Sequence, residues 1–296
     1  MAIAVQVERA YGSLIGLAIG DAFGCCYTDA LNHAALRERS LLAGPWLWSD
    51  DTEMACSVFA VLRELGRIDQ DALAKSFAAH YDIYRWYGPG TGRILRLIRD
   101  RGGDWRELAG RARDGRGSWG NGAAMRVAPV GAYFAGDLDR VVREAAASAV
   151  VTHAHAEGVA GAVAVAVAAA LGVSDPGLRG EALLAAVAEH TPGGAVREGI
   201  SAAGALGPLA DIEEVIALLG NGSRTSAQDT VPFCLWMVAE HGAHVAEALW
   251  RTAAAGGDMD TTCAIVGGIL GARLGVSGLP DELRERCEPL PEWIRQ

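Results

Sequence analysis

The chain has 296 residues, enough for one large domain or two small ones. Its 26 Lys and Arg stand against 36 Asp and Glu, a formal net charge of -10, which excludes a generic electrostatic nucleic-acid binder because such proteins displace phosphate counterions with cationic side chains. Aromatic residues make up only 6% while alanine and glycine abound, so helices can approach closely on small residues, and an all-α fold is expected.

At the N-terminus Glu8 and Arg9 interrupt a mildly apolar stretch, and no basic segment leads into an apolar block, so no secretory leader is expected. Gly12, Gly16 and Gly20 then recur every four residues, as do Gly267, Gly271 and Gly275 near the other end. On helices each set lies along one face and permits close backbone approach, which places both terminal helices in one core and favours a single domain over residues 1–296. Between them, apolar residues at helical spacing predict helices over 52–66, 73–84, 90–100, 137–149, 157–171, 179–190, 196–203, 211–219, 230–241, 244–254 and 261–274. The apolar run 158–173 falls short of the roughly 20 residues that a bilayer span needs and reads as a buried helix, so no membrane association is expected. Segments 102–121 and 220–227 read as functional loops, and no alternating strand pattern of useful length occurs. Cys25, Cys26, Cys56, Cys234, Cys263 and Cys287 form no CxxC pair, which points to reduced thiols and a cytoplasmic setting.

Two acidic clusters carry the chemistry. Ser49-Asp50-Asp51-Thr52 precedes one helix, and Asp258-Met259-Asp260-Thr261-Thr262 separates a Gly-Gly pair from another. Either alone reads as helix capping. If the terminal helices share a core, four aspartates converge on one volume where they cannot all stay ionised without cations. Carboxylate and hydroxyl oxygens are hard donors, and neither cluster contains His, so Mg2+ or Mn2+ is favoured over Zn2+. A calcium loop is excluded by Cys263 at the sharp-turn glycine position and Ile269 at the bidentate glutamate position. An aspartyl-phosphate nucleophile would follow a buried strand, whereas Asp258 follows Ala253-Ala254-Ala255-Gly256-Gly257.

Five segments fall in an order that resembles the ADP-ribosylglycohydrolase family: Gly20-Asp21-Ala22-Phe23-Gly24, Ser49-Asp50-Asp51-Thr52, Gly120-Asn121-Gly122-Ala123-Ala124-Met125-Arg126, Thr152-His153 and Gly257-Asp258-Met259-Asp260-Thr261. The segment Tyr87-Gly88-Pro89-Gly90-Thr91 is also similar to a loop of the serine-ADP-ribose hydrolase branch. The resemblance implies an all-α, compact orthogonal multi-helix bundle with a central dinuclear metal site that cleaves the ribose C1″ linkage to release ADP-ribose. It also implies that Ser49, Asp50 and Asp51 hold one Mg2+ and that Asp258, Asp260 and Thr261 complete a pair, with Asp260 bridging and Asp51 and Asp260 serving catalysis. Ser118, Trp119, Gly120, Asn121 and Gly122 would form the ADP-ribose loop, with His153 near the diphosphate or ribose. Exposed glycine-rich N–H groups suit phosphate and an indole suits adenine. His155, two residues on along an expected helix, should face away from His153, so no His-x-His metal site is expected.

Two positions depart from the family pattern. Met259 stands between the aspartates where Thr or Ser is usual, and its side chain should point away from their metal. Thr28 stands where relatives commonly carry a Glu, and the adjacent Asp29 is the candidate to replace it as an acid/base group. The expected partners are ADP-ribose and an ADP-ribosylated protein, nucleic acid or small molecule. The competing expectation is a non-catalytic ADP-ribose binder or structural descendant of the same fold.

Overall fold

Gly16 and Gly20 of the N-terminal helix, Ala2–Thr28, press against Gly267 and Cys263 of the Met259–Leu274 helix in the computed structural model, which describes residues 2–295. A Cβ added at Gly16 would stand 2.3 Å from the Gly267 carbonyl oxygen, and one at Gly20 would stand 2.0 Å from that of Cys263. The two backbones are therefore in contact, and any side chain at these positions would force them apart. Ser13 adds a hydroxyl donated to the Gly268 carbonyl at 2.8 Å, tying together residues from opposite ends of the chain.

The apolar run forms the helix Ala156–Ser174, whose residues from Ala160 to Ala170 are all buried. It packs against the Ala128–Tyr133 helix, where a Cβ on Gly131 would lie 1.9 Å from the Ala166 carbonyl oxygen, and against Ala227–His241 through Gly161. Its apolar surface is thus covered by other helices. One continuous cluster of buried side chains extends from Ala10 to Ile294. Among the described residues there is no strand, only two isolated bridges.

Most expected helices appear with boundaries moved by a few residues. The Asp50–Leu65 helix starts where the Ser49 hydroxyl accepts from the Asp51 amide and stops at Gly66, whose φ of 64° is a left-handed cap. The helix expected over 73–84 is Gln70–His80 instead: Asp69 caps its start, and the chain leaves it at Tyr81 before a short turn capped by Asp82. The segment 102–121 is not a simple loop, because it contains the helix Trp105–Gly115. Asp104 caps that helix, and the buried Trp105 and Ala109 anchor one face, while five charged side chains among its 11 residues obscure the apolar period. His153 lies in a turn beyond the Leu138–Val150 helix, and His155 caps Ala156–Ser174 by accepting from the Glu157 amide at 3.1 Å. The two histidines do not share a helix, which corrects the geometry behind the expectation about them.

Candidate functional site

The backbone contact between the terminal helices delivers Asp21, the residue after Gly20, into the interior. One oxygen of its fully buried carboxylate accepts from the Ser49 amide at 2.9 Å, the Thr52 amide at 3.0 Å and the Thr52 hydroxyl at 2.6 Å. These bonds fix the first turn of the Asp50–Leu65 helix on the N-terminal helix. In that turn the Ser49 hydroxyl donates to Asp51 Oδ2 at 3.0 Å, while Asp51 Oδ1 is buried with no hydrogen-bond partner. A carboxylate oxygen in that position calls for a proton or a cation.

The second cluster enters through Gly256 and Gly257, with φ of 68° and 74°. Gly257 lies against Asn221, where a Cβ would come within 2.2 Å of the Asn221 carbonyl oxygen. Asp258 and Asp260 are half-buried at the start of the Met259–Leu274 helix, and the Thr261 amide donates to Asp260 Oδ1 at 2.9 Å. Met259 between them is buried in the apolar core, so its side chain leaves the acids, as expected.

Burial, then the charge of Asp260, raises the Asp21 carboxyl to about 6 and that of Asp258 to about 7. Burial and the charge of Asp21 push Asp50 and Asp51 well above the ordinary carboxylate range, with Asp260 and Asp258 adding to both. The charge of Asp260 acts on all four of the others, and Asp50 and Asp51 also feel Asp21 and Asp258, so the five carboxylates share one volume. Asp21 is the fifth, and the candidate set drawn from the sequence lacks it. Among the described residues no three His, Cys, Asp or Glu side chains close around a single ion position, while the Ser49 hydroxyl lies on Asp51 and the Thr261 hydroxyl on Asp258. The charge, the unpartnered Asp51 oxygen and the hard oxygen donors fit divalent cations. The Cys25 thiol donates to Asp21 Oδ1 at 3.4 Å, and burial followed by the charge of Asp21 pushes it far up, so it stays protonated.

The glycine-rich segment is bound to this volume. The Asn121 side chain donates to Asp258 Oδ2 at 2.7 Å and to Thr230 Oγ1 at 3.1 Å. Its backbone joins segment 220–227: the Asn121 amide donates to the Thr225 carbonyl at 3.2 Å, and the Ala227 amide donates to that of Trp119 at 2.9 Å. Segment 220–227 continues to the second cluster, since the Asp258 amide donates to the Asn221 carbonyl. Ser118 turns the loop by accepting from the Gly120 amide at 3.2 Å. His153 lies beneath it: Cβ atoms at Gly120 and Gly122 would come within 3.2 and 2.8 Å of its ring. Burial lowers its imidazole to about 3, so the ring is neutral, with Nδ1 2.7 Å from Thr152 Oγ1. The half-buried Trp119 is flanked by the guanidinium groups of Arg113 and Arg116 at 4.8 and 5.2 Å and by the edge of His155.

Asp29 is not brought into this assembly. It is exposed and caps a short turn by accepting from the Leu31 amide at 2.9 Å, while the exposed Thr28 hydroxyl donates to the Cys25 carbonyl. Besides Asp21, three further residues stand outside the expected set. Arg126, fully buried and lowered to about 9 by that burial, donates to the Gly122 and Ser148 carbonyls and to Thr152 Oγ1, holding the loop in place. Glu53 accepts from the Tyr87 hydroxyl at 2.6 Å and the Asp82 amide at 3.0 Å. Asp21, Arg126 and Tyr87 lie within segments quoted above, and Glu53 directly follows one.

A separate open cleft of about 490 Å³ is lined by Val5, Arg9, Tyr133, Phe134, Asp137 and Arg140 among others. At 1.5 Å per helical residue, its N-terminal helix residues lie roughly 20 Å from Asp21, and its one acid, Asp137, is occupied as a helix cap.

The family model for ADP-ribosylglycohydrolase matches residues 2–296. The human ADP-ribosylhydrolase ARH3 is 30% identical over 97% of this chain and 91% of its own length, and the Mus musculus protein of the same name is 30% identical over 97% and 89%. An ADP-ribosylarginine hydrolase, Tri1 of Pseudomonas putida (strain GB-1), is 27% identical over 98% of this chain and 74% of its own. A solved structure described as an ADP-ribosylglycohydrolase-related protein complex superposes with a TM-score of 0.70 at 24% identity, covering 96% of this chain and 94% of that one, which shows the shared fold. With the family model matched across its length, the chain belongs to the ADP-ribosylglycohydrolase family.

Proposed function

We propose that this member of a family of ADP-ribosyl hydrolases uses two divalent cations, Mg2+ or Mn2+, to cleave the ribose C1″ linkage of an ADP-ribosylated substrate and release ADP-ribose. The observation that carries the metal assignment is the buried, unpartnered Asp51 Oδ1 within a volume shared by five carboxylates. Ser49, Asp50 and Asp51 would hold one ion, and Asp258, Asp260 and Thr261 the other. Such ions supply Lewis acidity toward water and ribose oxygens and neutralise the acids around them.

The chain's own residues do the rest. Asp21 holds the Ser49–Thr52 turn in register, and Asn121 couples the glycine-rich loop to Asp258. The N–H groups of that loop would bind the diphosphate and Trp119 would stack on adenine. His153, kept neutral, supports the loop from below without adding charge. The substrate class spans ADP-ribosylated protein, nucleic acid and small molecules such as O-acetyl-ADP-ribose, and the six unpaired cysteines support a reducing, cytoplasmic setting.

Turnover of arginine-, serine- and nucleic-acid-linked ADP-ribose and of O-acetyl-ADP-ribose, each with Mg2+ and with chelator, tests the reading. Release of ADP-ribose from at least one of them, abolished by chelator and restored by Mg2+, is the expected result. Release undiminished by chelator would remove the cations from the mechanism. Binding of ADP-ribose with no turnover of any conjugate would leave a binding protein.

A further inference from the structure

The turn 83–86 leaves three large apolar or aromatic side chains in solvent, Ile83 at 61% exposure, Tyr84 at 82% and Trp86 at 59%. Trp86 has φ of 60°, a backbone conformation that side chains other than Asn and Asp rarely adopt and that functional sites often hold. The next residue, Tyr87, points the opposite way, with its hydroxyl on Glu53, and the charge of Asp50 helps to hold that phenol protonated. The turn therefore presents Trp86 to solvent while its neighbour reaches the acidic volume.

The turn is also fixed to the segment that leads into the first acidic cluster. The Arg85 guanidinium lies 3.4 Å over the Trp48 ring, donates to the Trp48 carbonyl at 2.8 Å and pairs with Glu288, which also accepts from the Trp48 amide at 2.9 Å. Trp48 is buried, yet Leu47 beside it is 49% exposed. Leu47, Ile83, Tyr84 and Trp86 thus stand on two joined segments that run directly into Ser49–Asp51 and Tyr87. Beyond Tyr87, Cβ atoms at Gly88 and Gly90 would meet nothing within 4 Å, so the ground next to the turn is open.

The glycine-rich loop reaches the acids at Asp258, whereas these segments reach them at Asp50 and Glu53. Resting on the function proposed above, we infer that this apolar surface receives the acceptor half of the substrate, and that the acceptor is a polypeptide with apolar side chains beside the modified residue. Charge decides between polypeptide and nucleic acid. Arg85 is the only cation in segments 47–53 and 82–87, it is already committed to Glu288, and the same two segments carry Asp50, Asp51, Glu53 and Asp82. Stacking platforms for nucleic acid need free cations to follow the phosphates, and these two segments offer none.

The test compares KM for three probes of one linkage that wild-type protein cleaves: an ADP-ribosylated peptide with Leu and Phe flanking the modified residue, the same peptide with Gly in both places, and the ADP-ribosylated single amino acid. Trp86→Gly suits the left-handed backbone and so preserves the turn, and Tyr84→Ser is the second variant. The exposed, distant Leu209→Ser is the control. The wild type should favour the Leu/Phe peptide over the single-residue conjugate, and Trp86→Gly should raise the ratio of their KM values about fivefold or more, with Tyr84→Ser acting in the same direction. An unchanged ratio in both variants, with the single-residue conjugate still cleaved, overturns the acceptor surface and leaves the hydrolase reading intact. A ratio that rises equally for the Gly peptide overturns the apolar recognition. A KM change confined to an ADP-ribosylated oligonucleotide overturns the polypeptide assignment. Failure of wild-type protein to cleave any conjugate overturns the hydrolase reading and this inference with it.

Discussion

Asn121 Nδ2 lies 2.7 Å from Asp258 Oδ2, so the glycine-rich loop and the C-terminal acidic cluster are joined by one side-chain hydrogen bond across 137 residues of sequence. The bond also restrains the Asp258 carboxyl, because it favours the ionised form against the burial and the Asp260 charge that raise it. Asn121→Ala should therefore weaken ADP-ribose and Mg2+ together, each by about 1 kcal/mol, roughly fivefold in Kd. Calorimetry with each ligand separately checks this, and a loss confined to ADP-ribose would show that the two sites are not coupled through this bond.

The acidic volume gives stability a pH dependence that cations should offset. Asp21 and Asp258, raised from 3.8 to about 6 and about 7, hold protons in the folded chain that the unfolded chain has released, and Asp50 and Asp51 shift in the same direction. Their contribution is fully present below about pH 4 and is lost as pH rises through 6 to 7. In chelator, this contribution lowers Tm between pH 5 and 8. Mg2+ binds the ionised acids, so the Tm increment it confers should grow across the same window. An increment that is flat with pH would place Mg2+ elsewhere.

The backbone contact of the two terminal helices should tolerate added volume poorly. Gly20→Ala drives a Cβ toward the Cys263 carbonyl, which is backbone and cannot rotate away, and it displaces Asp21 beside it. A destabilisation of about 3 kcal/mol is expected by urea denaturation, at the upper end for overpacking. Gly136→Ala, where a Cβ meets nothing within 4 Å, should stay within about 0.5 kcal/mol.

Trp119→Ala should weaken ADP-ribose by roughly 1 kcal/mol by calorimetry, since it removes a half-buried indole already flanked by two guanidinium groups. Unchanged affinity would assign Trp119 to holding Arg113 and Arg116 in place.

Gly12, Gly16 and Gly20 were legible as a contact stripe because a period of four on a helix has one geometric meaning, and their close approach to Gly275, Gly267 and Cys263 bears that out. The two acidic clusters were legible for a related reason, since short runs of carboxylates beside helix starts stand out. Asp21 stands inside a quoted segment but drew no role, because a single acid inside a helix reads as a solvated face and only the backbone contact at Gly20 shows that it is buried. The Trp105–Gly115 helix was hidden by its charge, with two anchoring side chains beside five charged ones. Glu53 and Tyr87 meet across 34 residues, a pairing that no local period announces.

Thr28 and Asp29 pose the last test. The sequence suggested Asp29 as the acid/base group in place of the Glu usual at position 28, but its carboxylate is exposed and accepts from the Leu31 amide. Asn fills the same capping role, so Asp29→Asn removes the charge and basicity without removing the cap. Turnover of the best conjugate should change by less than about threefold, whereas a true acid/base group would cost about 10²- to 10⁴-fold. A loss in that larger range, with ADP-ribose affinity and metal content intact, would restore Asp29 to catalysis. Thr28→Glu should instead restore a carboxylate at the position where the family usually has one. Its cost should be only about 0.5 kcal/mol, from a negative charge at the C-terminal end of the Ala2–Thr28 helix and the lost bond to the Cys25 carbonyl. If turnover rises in Thr28→Glu while Asp29→Asn is silent, the chain has dispensed with this acid, and its acidic cluster and bound cations carry the reaction.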